Sequence, residues 1–238
     1  MDLGLSGKVA IIAGASKGLG RGTALALSRE GASVVICARG ERALHETEVG
    51  LPGDALAVPA DFTEPGTPGS LVEAALERFG SVDIVVGNAA GPPPASALEA
   101  TDEELMNAFN DNALSSIRLA RAAAPHMRRT GWGRIVFIGS SFVKQPSPRL
   151  VLSNTARTAL WAWTKTAAQD LISEGVTVNM VLPGTHDTDR TRELGTVADR
   201  MGDPEDFGRV VAFLCSSSAG YISGVALQVD GAATLGLL

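Results

Sequence analysis

Three glycines, Gly14, Gly18 and Gly20, stand in a G-x-x-x-G-x-G spacing within the run AGASKGLGRG (13–22). The run follows an apolar, β-branched stretch and opens a helical pattern. Residues without a Cβ let the backbone turn tightly, which brings its N–H groups and a helix N-terminus against a pyrophosphate. A strand–turn–helix setting separates such a phosphate loop from an ordinary glycine turn. Ser16, Lys17 and Leu19 lie in the same loop and join the glycines as candidate cofactor ligands.

The extra charge on the cofactor is read further along. A site that prefers NAD places a carboxylate near the end of the second strand to hold the ribose 2′-hydroxyl. In VVICARGER (34–42) the tip is Cys37 and Ala38, followed by Arg39, with no carboxylate there. A guanidinium suits a 2′-phosphate, and Lys17 can reach the same group. The alternative is that Arg39 is a solvated charge. These residues favour NADP(H) over NAD(H).

Such a loop needs a sheet and helices to hold it. Short apolar runs at 8–14, 33–38, 55–60, 83–88, 134–139, 177–183 and 226–230 are predicted strands. They alternate with helical patterns at 19–30, 41–49, 68–79, 102–129, 153–174 and 204–217. The alternation predicts an α/β fold: one Rossmann-type, doubly wound domain over residues 1–238 with a seven-stranded parallel sheet. GPPPAS (91–96) and GTHDTDRTREL (184–194) are expected to be irregular and to lie at the carboxyl edge of the sheet, where such folds bind ligands.

Composition narrows the partners. Apolar residues make up 45% of the 238 and charged residues 19%, which predicts a packed interior rather than disorder. A net charge of −6 argues against nucleic acid. Two cysteines, Cys37 and Cys215, make no disulfide framework and fit a reducing compartment. The start has no basic n-region, and no stretch approaches a membrane span, so a cytoplasmic protein is expected. No cluster of His, Cys, Asp or Glu has metal-ligand spacing.

The pieces GASKGLG (14–20), AD (60–61), DIVVGNAAG (83–91), NDNALSSIRLA (110–120), GRIVFIGSS (133–141), VTVNMVLPG (176–184) and PEDFGRVVAFL with YISGVALQVDG near the C-terminus occur in order at suitable spacing. Over nearly its whole length the chain resembles the short-chain dehydrogenase/reductase family, most closely the bacterial 3-oxoacyl-carrier-protein reductase type. The resemblance implies that Asp61, with Phe62 beside it, contacts the adenine. Asn88, Ala89 and Ala90 would line the adenosine ribose and the floor of the sheet, although the family usually has a second asparagine where this chain has Gly87. Asn112 would anchor a proton-relay water, and Ser140 would hydrogen-bond the substrate carbonyl. Pro183, Gly184 and Thr188 would close over the nicotinamide and its carboxamide.

Thirteen residues beyond Ser140, where the family keeps its catalytic tyrosine, stands Ser153; four further, in place of lysine, stands Arg157. The stretch SNTARTAL (153–160) aligns without a gap, and the chain's one tyrosine, Tyr221, lies near the C-terminus. A phenol with its pKa lowered by a neighbouring cation can donate a proton, whereas a serine hydroxyl is shorter and far less acidic. Arg157 can bind ribose hydroxyls but cannot pass a proton on. His186, Lys144, or a water held by Ser140, Ser153 and Asn112 are the candidate donors in its place; for each side chain the alternative is a solvated loop residue.

The segment 184–204 is shorter than the usual substrate lid, and the walls at 91–96 and 142–152 are proline-rich, with Lys144 and Arg149 as anion contacts. His45 and His126 are expected at the surface, and Trp161 and Trp163 in packing or at a subunit contact. The resemblance implies a homodimer or homotetramer acting on a small-molecule carbonyl or hydroxyl substrate. Three functions remain open. One is an NADP(H)-dependent reductase of a ketone or 3-oxoacyl carbonyl with an atypical proton donor. The second is a cofactor-binding relative without reductase activity, serving as a regulatory or structural subunit. The third is a non-redox lyase or dehalogenase. Halohydrin dehalogenases share the arginine but keep the tyrosine and lose the glycine loop, the reverse of this chain.

Overall fold

A computed structural model describes residues 2–193, 195, 198 and 200–236. Seven strands form one parallel sheet: β1 (Val9–Ala13), β2 (Ser33–Ala38), β3 (Ala55–Pro59), β4 (Ile84–Gly87), β5 (Gly133–Ile138), β6 (Val176–Pro183) and β7 (Ala226–Val229). Their order is β3-β2-β1-β4-β5-β6-β7, so the winding reverses between β1 and β4. Helices α1 (Gly18–Arg29), α2 (Glu41–Val49), α3 (Thr67–Phe79), α4 (Asp102–Phe109), α5 (Ser115–Thr130), α6 (Val151–Leu171), α7 (Asp189–Glu193) and α8 (Pro204–Cys215) flank it.

Every residue of β1 is buried, and alternation of side chains along the strand feeds two separate cores. Val9, Ile11 and Ala13 join the core under α3, α5 and α6. Ala10 and Ile12 join the one under α1 and α8. A strand covered on both faces is therefore read as an unbroken apolar run.

Two expectations need correction. The helix predicted at 102–129 is α4 and α5 joined by a π-helical turn, Asn110–Leu114. The segment at 184–194, expected to be irregular, contains the short helix α7. Thr188 starts it by accepting the Thr191 N–H on Oγ1 at 3.3 Å and the Arg192 N–H on its carbonyl at 3.1 Å. In the lid segment 184–204, residues 194, 196, 197 and 199 lie outside the described residues.

Helices α1 and α8 meet backbone to backbone. A Cβ on Gly22 would sit 2.1 Å from the Pro204 carbonyl oxygen, and one on Gly208 would sit 2.2 Å from that of Gly22. Gly22→Ala should lower the unfolding free energy by about 1–3 kcal/mol, as overpacked cores do. Gly69→Ala, in α3 with nothing within 4 Å of the added carbon, should raise it by roughly 0.5–1 kcal/mol. Urea unfolding of the two variants checks the pair, and equal effects would refute the contact.

Candidate active site

The site gathers at the carboxyl ends of β1, β4, β5 and β6, across the winding reversal. Gly14 and Gly18 have φ of +61° and +57°, the left-handed region that favours glycine. A Cβ on Gly20 would lie 2.2 Å from the Gly14 carbonyl oxygen. Asn88, just past β4, donates from Nδ2 to that oxygen at 3.2 Å and so braces the turn from behind. Helix α1 starts at Lys17 without a side-chain cap and with no acid in its first turn. By contrast, Asp203 caps α8 and Thr101 caps α4. The first N–H groups of α1 are thus free to meet an anion.

Ser16 is half-buried, its carbonyl taken by Thr47 Oγ1 at 3.3 Å. Leu19 packs against the second core, so only its main chain belongs to the loop. Lys17 is exposed and paired with Glu193 and Asp189 on α7 at 3.6 and 4.0 Å. At the β2 tip, burial pushes the Cys37 thiol up to about 11, leaving a neutral group where a carboxylate would hold a hydroxyl. Arg39 is exposed beside it, 3.8 Å from Asp61. Asp61 Oδ1 accepts from the Thr63 N–H and hydroxyl at 2.9 and 2.8 Å, and these bonds hold its pKa below the usual carboxylate value. Phe62 is buried at 6% exposure and its ring belongs to the core, which leaves its main chain for a cofactor.

At β4 the missing second asparagine has a steric reason. A Cβ on Gly87 would lie 2.6 Å from Ser116 Oγ and 2.9 Å from the Phe137 ring. Ala89 is half-buried, and Ala90 is exposed at the crevice. Across it, Pro183 ends β6 and Gly184 follows, and a Cβ on Gly184 would strike Asp230 Cα at 2.7 Å. The Thr188 methyl lies 3.3 Å from where a Cβ on Gly18 would be, so the lid segment rests on the glycine turn.

The reacting side of the site is built by β5 and α6. Ser140 opens the 3₁₀ turn Ser141–Val143, its Oγ accepting the Phe142 N–H at 3.3 Å. That bond takes a lone pair and leaves the hydroxyl proton for another acceptor. Ser153 is half-buried in the first turn of α6. Arg157, one turn on, is buried at 7% exposure. Its Nη1 donates to the Ile138 and Gly139 carbonyls at 2.8 and 3.2 Å, and its Nη2 to Ala89 at 3.2 Å. Three of the five guanidinium donors thus stitch the segments that end β4 and β5, and two are left without a protein acceptor among the described residues. Burial lowers its pKa to about 10, which still leaves a cation at neutral pH.

Asn112 sits in the π-helical turn, against which α6 packs. It is buried, with Nδ2 donating to Ala108 at 3.3 Å and Oδ1 without a hydrogen-bond partner in the protein. π-turns mark functional positions often enough that the widened turn is informative, but a helical hydrophobic period does not reveal one.

His186 is enclosed rather than open at the crevice. It is 5% exposed, edge-on to Phe207 with centroids 5.1 Å apart, and Nδ1 faces the Gly184 carbonyl at 3.2 Å. A Cβ on Gly202 would lie 2.7 Å from its Nε2, so the ring is closed in on that side as well. The ring serves to seat the lid on α8. Lys144 is engaged by Gln228 on β7 at 3.2 Å. Trp163 stacks edge-on with Phe137 at 5.8 Å, a packing role, and His45 is exposed. His126 is half-buried on α5, beside the Arg129 guanidinium.

Sequence reasoning missed how the walls join. The Ala95 N–H donates to the Arg149 carbonyl at 2.8 Å, and Ala95 with Leu105, Leu152 and Ala156 forms a small third core. Arg149 adopts φ +64° at that junction. Asn154, next to Ser153, anchors the wall by donating from Nδ2 to the Ser147 carbonyl at 2.9 Å. No spacing in the sequence announces these loop-to-loop bonds. Among the described residues no group of three or more His, Cys, Asp or Glu could hold a metal, and no helix is long and apolar enough to cross a membrane.

A family model described as enoyl-(acyl carrier protein) reductase matches residues 14–234. The chain is 32% identical to the 3-oxoacyl-[acyl-carrier-protein] reductase FabG of Vibrio cholerae, over 96% of this chain and 98% of that one. It is 31% identical to human dehydrogenase/reductase SDR family member 4, over 95% of this chain and 87% of that one. Among solved structures, L-sorbose reductase from Gluconobacter frateurii, complexed with NADPH and L-sorbose, superposes with a TM-score of 0.90 at 32% identity, covering 97% of this chain and 98% of that chain. A 7α-hydroxysteroid dehydrogenase complexed with NADH superposes at 0.91 with 29% identity, covering 97% of this chain and 95% of that chain. With its parallel sheet, its glycine turn and these relatives together, the chain belongs to the short-chain dehydrogenase/reductase family of nicotinamide-dependent oxidoreductases.

Proposed function

We propose that the protein is an NADP(H)-dependent reductase of a ketone or 3-oxoacyl-type carbonyl, with Ser140 binding the carbonyl oxygen and a water-borne proton replacing the family's tyrosine. The observation that carries the cofactor reading is the cradle at Gly14 and Gly20, where a Cβ would meet Asn88 or the loop's own backbone. The residues present fit the cofactor. The uncapped start of α1 suits a pyrophosphate, the neutral β2 tip gives no partner to a 2′-hydroxyl, and Lys17 and Arg39 offer two cations to a 2′-phosphate. The NADPH complex of the sorbose reductase supports the same choice, while the NADH complex of the steroid dehydrogenase shows that relatives differ in it.

NADPH when bound supplies hydride to the carbonyl carbon. The chain's own part is to orient and to stabilise charge. Ser140 donates its free proton toward the carbonyl oxygen, whose negative charge grows as hydride arrives. Arg157 acts as a positioning residue: by holding Gly139 and Ala89 it sets the serine against the strand end beside it. Ser153 is too short to act as the missing phenol. The buried, unpartnered Oδ1 of Asn112 is an acceptor on which a proton-carrying water can be held. Loss of NADPH absorbance across a panel of ketones and 3-oxoacyl thioesters tests the reading, and turnover is expected.

Saturable NADPH binding without turnover of any carbonyl would instead favour a cofactor-binding relative without reductase activity. Ser153 and the committed Arg157 are the observations behind that second reading. The retained glycine cradle speaks against a dehalogenase. A small-molecule substrate, assembly as a homodimer or homotetramer and a cytoplasmic location complete the proposal.

A further inference from the structure

We propose that Asp189 and Glu193, on the short helix α7, compete with a cofactor 2′-phosphate for Lys17 and so tune the preference between NADPH and NADH. The inference rests on the NADP(H) reading above. Lys17 is the residue from which α1 departs, and its ammonium lies 3.6 Å from Glu193 and 4.0 Å from Asp189. The carboxylates are held there by more than chance exposure. Thr188 packs on the Gly18 turn, caps α7 through its hydroxyl and carbonyl, and delivers the helix beside the loop. Within the same segment, Arg192 pairs with Asp187 at 2.8 Å and with Asp189 at 2.9 Å. Asp189 is therefore shared between two cations, whereas Glu193 pairs only with Lys17 among the described residues.

An ammonium is a compact charge with three donors, and it cannot give its full attraction to a phosphate while two carboxylates stand within 4 Å. Binding of a 2′-phosphate must weaken these pairs. A cofactor with a bare 2′-hydroxyl has no claim on Lys17 and leaves them alone. All three side chains are about half exposed, so the effect is modest and sensitive to salt. The other cation on this edge, Arg39, is 3.8 Å from Asp61 and takes no part in the α7 pairing.

The test is a double-mutant cycle in cofactor affinity, read at low salt by titrating the purified full chain with NADPH and separately with NADH. Glu193→Gln should tighten NADPH about two- to fivefold and leave NADH unchanged. In a Lys17→Met background the same substitution should change neither, because the shared ammonium is gone. An equal gain for both cofactors, or a gain that persists with Lys17→Met, would overturn the competition, as would unchanged NADPH affinity in a protein that binds it saturably. If neither the parent protein nor Glu193→Gln takes up NADPH saturably, the cofactor reading falls and takes this inference with it.

Discussion

Arg157→Met should lower the unfolding free energy by about 3 kcal/mol, measured by urea or guanidinium titration. Hydrogen bonds to a charged group contribute roughly 1.5–3 kcal/mol each. The substitution removes the three that join Arg157 to Ile138, Gly139 and Ala89. The sum is not realised in full, because the buried cation is itself costly, as its lowered pKa records. A methionine fills similar volume, so the loss is of bonds rather than of packing. Arg157→Lys keeps the charge but not the planar fork, and should lie between the parent and Met. Stability unchanged within about 0.5 kcal/mol in the Met variant would show that the carbonyls find other partners, and the positioning role would fall.

Ser140→Ala is expected to reduce kcat by about 10²–10³, the usual cost of removing one donor to a developing oxyanion. Its Oγ is already oriented by the Phe142 N–H, so its proton is preorganised for a carbonyl oxygen. Ser153→Ala should cost less than about tenfold, since a hydroxyl on Cβ does not replace a phenol as a positioned acid worth about 10²–10⁴. Cofactor affinity should stay near that of the parent in both variants, because neither residue belongs to the glycine cradle. Steady-state kinetics with the best carbonyl from the panel decides between them. An equal fall for the two serines would make Ser153 a partner in proton delivery, and no fall for Ser140→Ala would remove it from the carbonyl.

The parallel architecture was legible because a strand covered on both faces must be apolar where it is buried, and VAIIA and VVICA are. The glycine turn was equally legible, since glycine suits the positive φ of Gly14 and Gly18 and only glycine leaves room for the Gly14 carbonyl, 2.2 Å from where a Cβ on Gly20 would be. Ser153 and Arg157 could be placed on one helix face, because they stand four residues apart and an intact helix keeps its register. These are local properties, written in consecutive residues or in one element's period.

What the chain does with those residues was decided elsewhere. His186 sits near the right strand end in sequence, yet Gly202 and Phe207, from the far side of the lid, close around its ring. Arg157 was expected to face a ribose, and three of its five donors are held by the carbonyls of Ile138, Gly139 and Ala89, at or just past the ends of two strands. The π-helical turn that carries Asn112 interrupts a helix whose hydrophobic pattern runs straight through. For His186 and Arg157 the deciding partners are many residues away, and spacing along a chain carries no information about which buried donor meets which acceptor. Sequence alone settled the scaffold and its glycine turn, because sterics and hydrophobic period act over a few neighbours. Only the tertiary structure assigned the polar groups, because hydrogen bonds depend on distances of a few tenths of an ångström between elements that folding brings together.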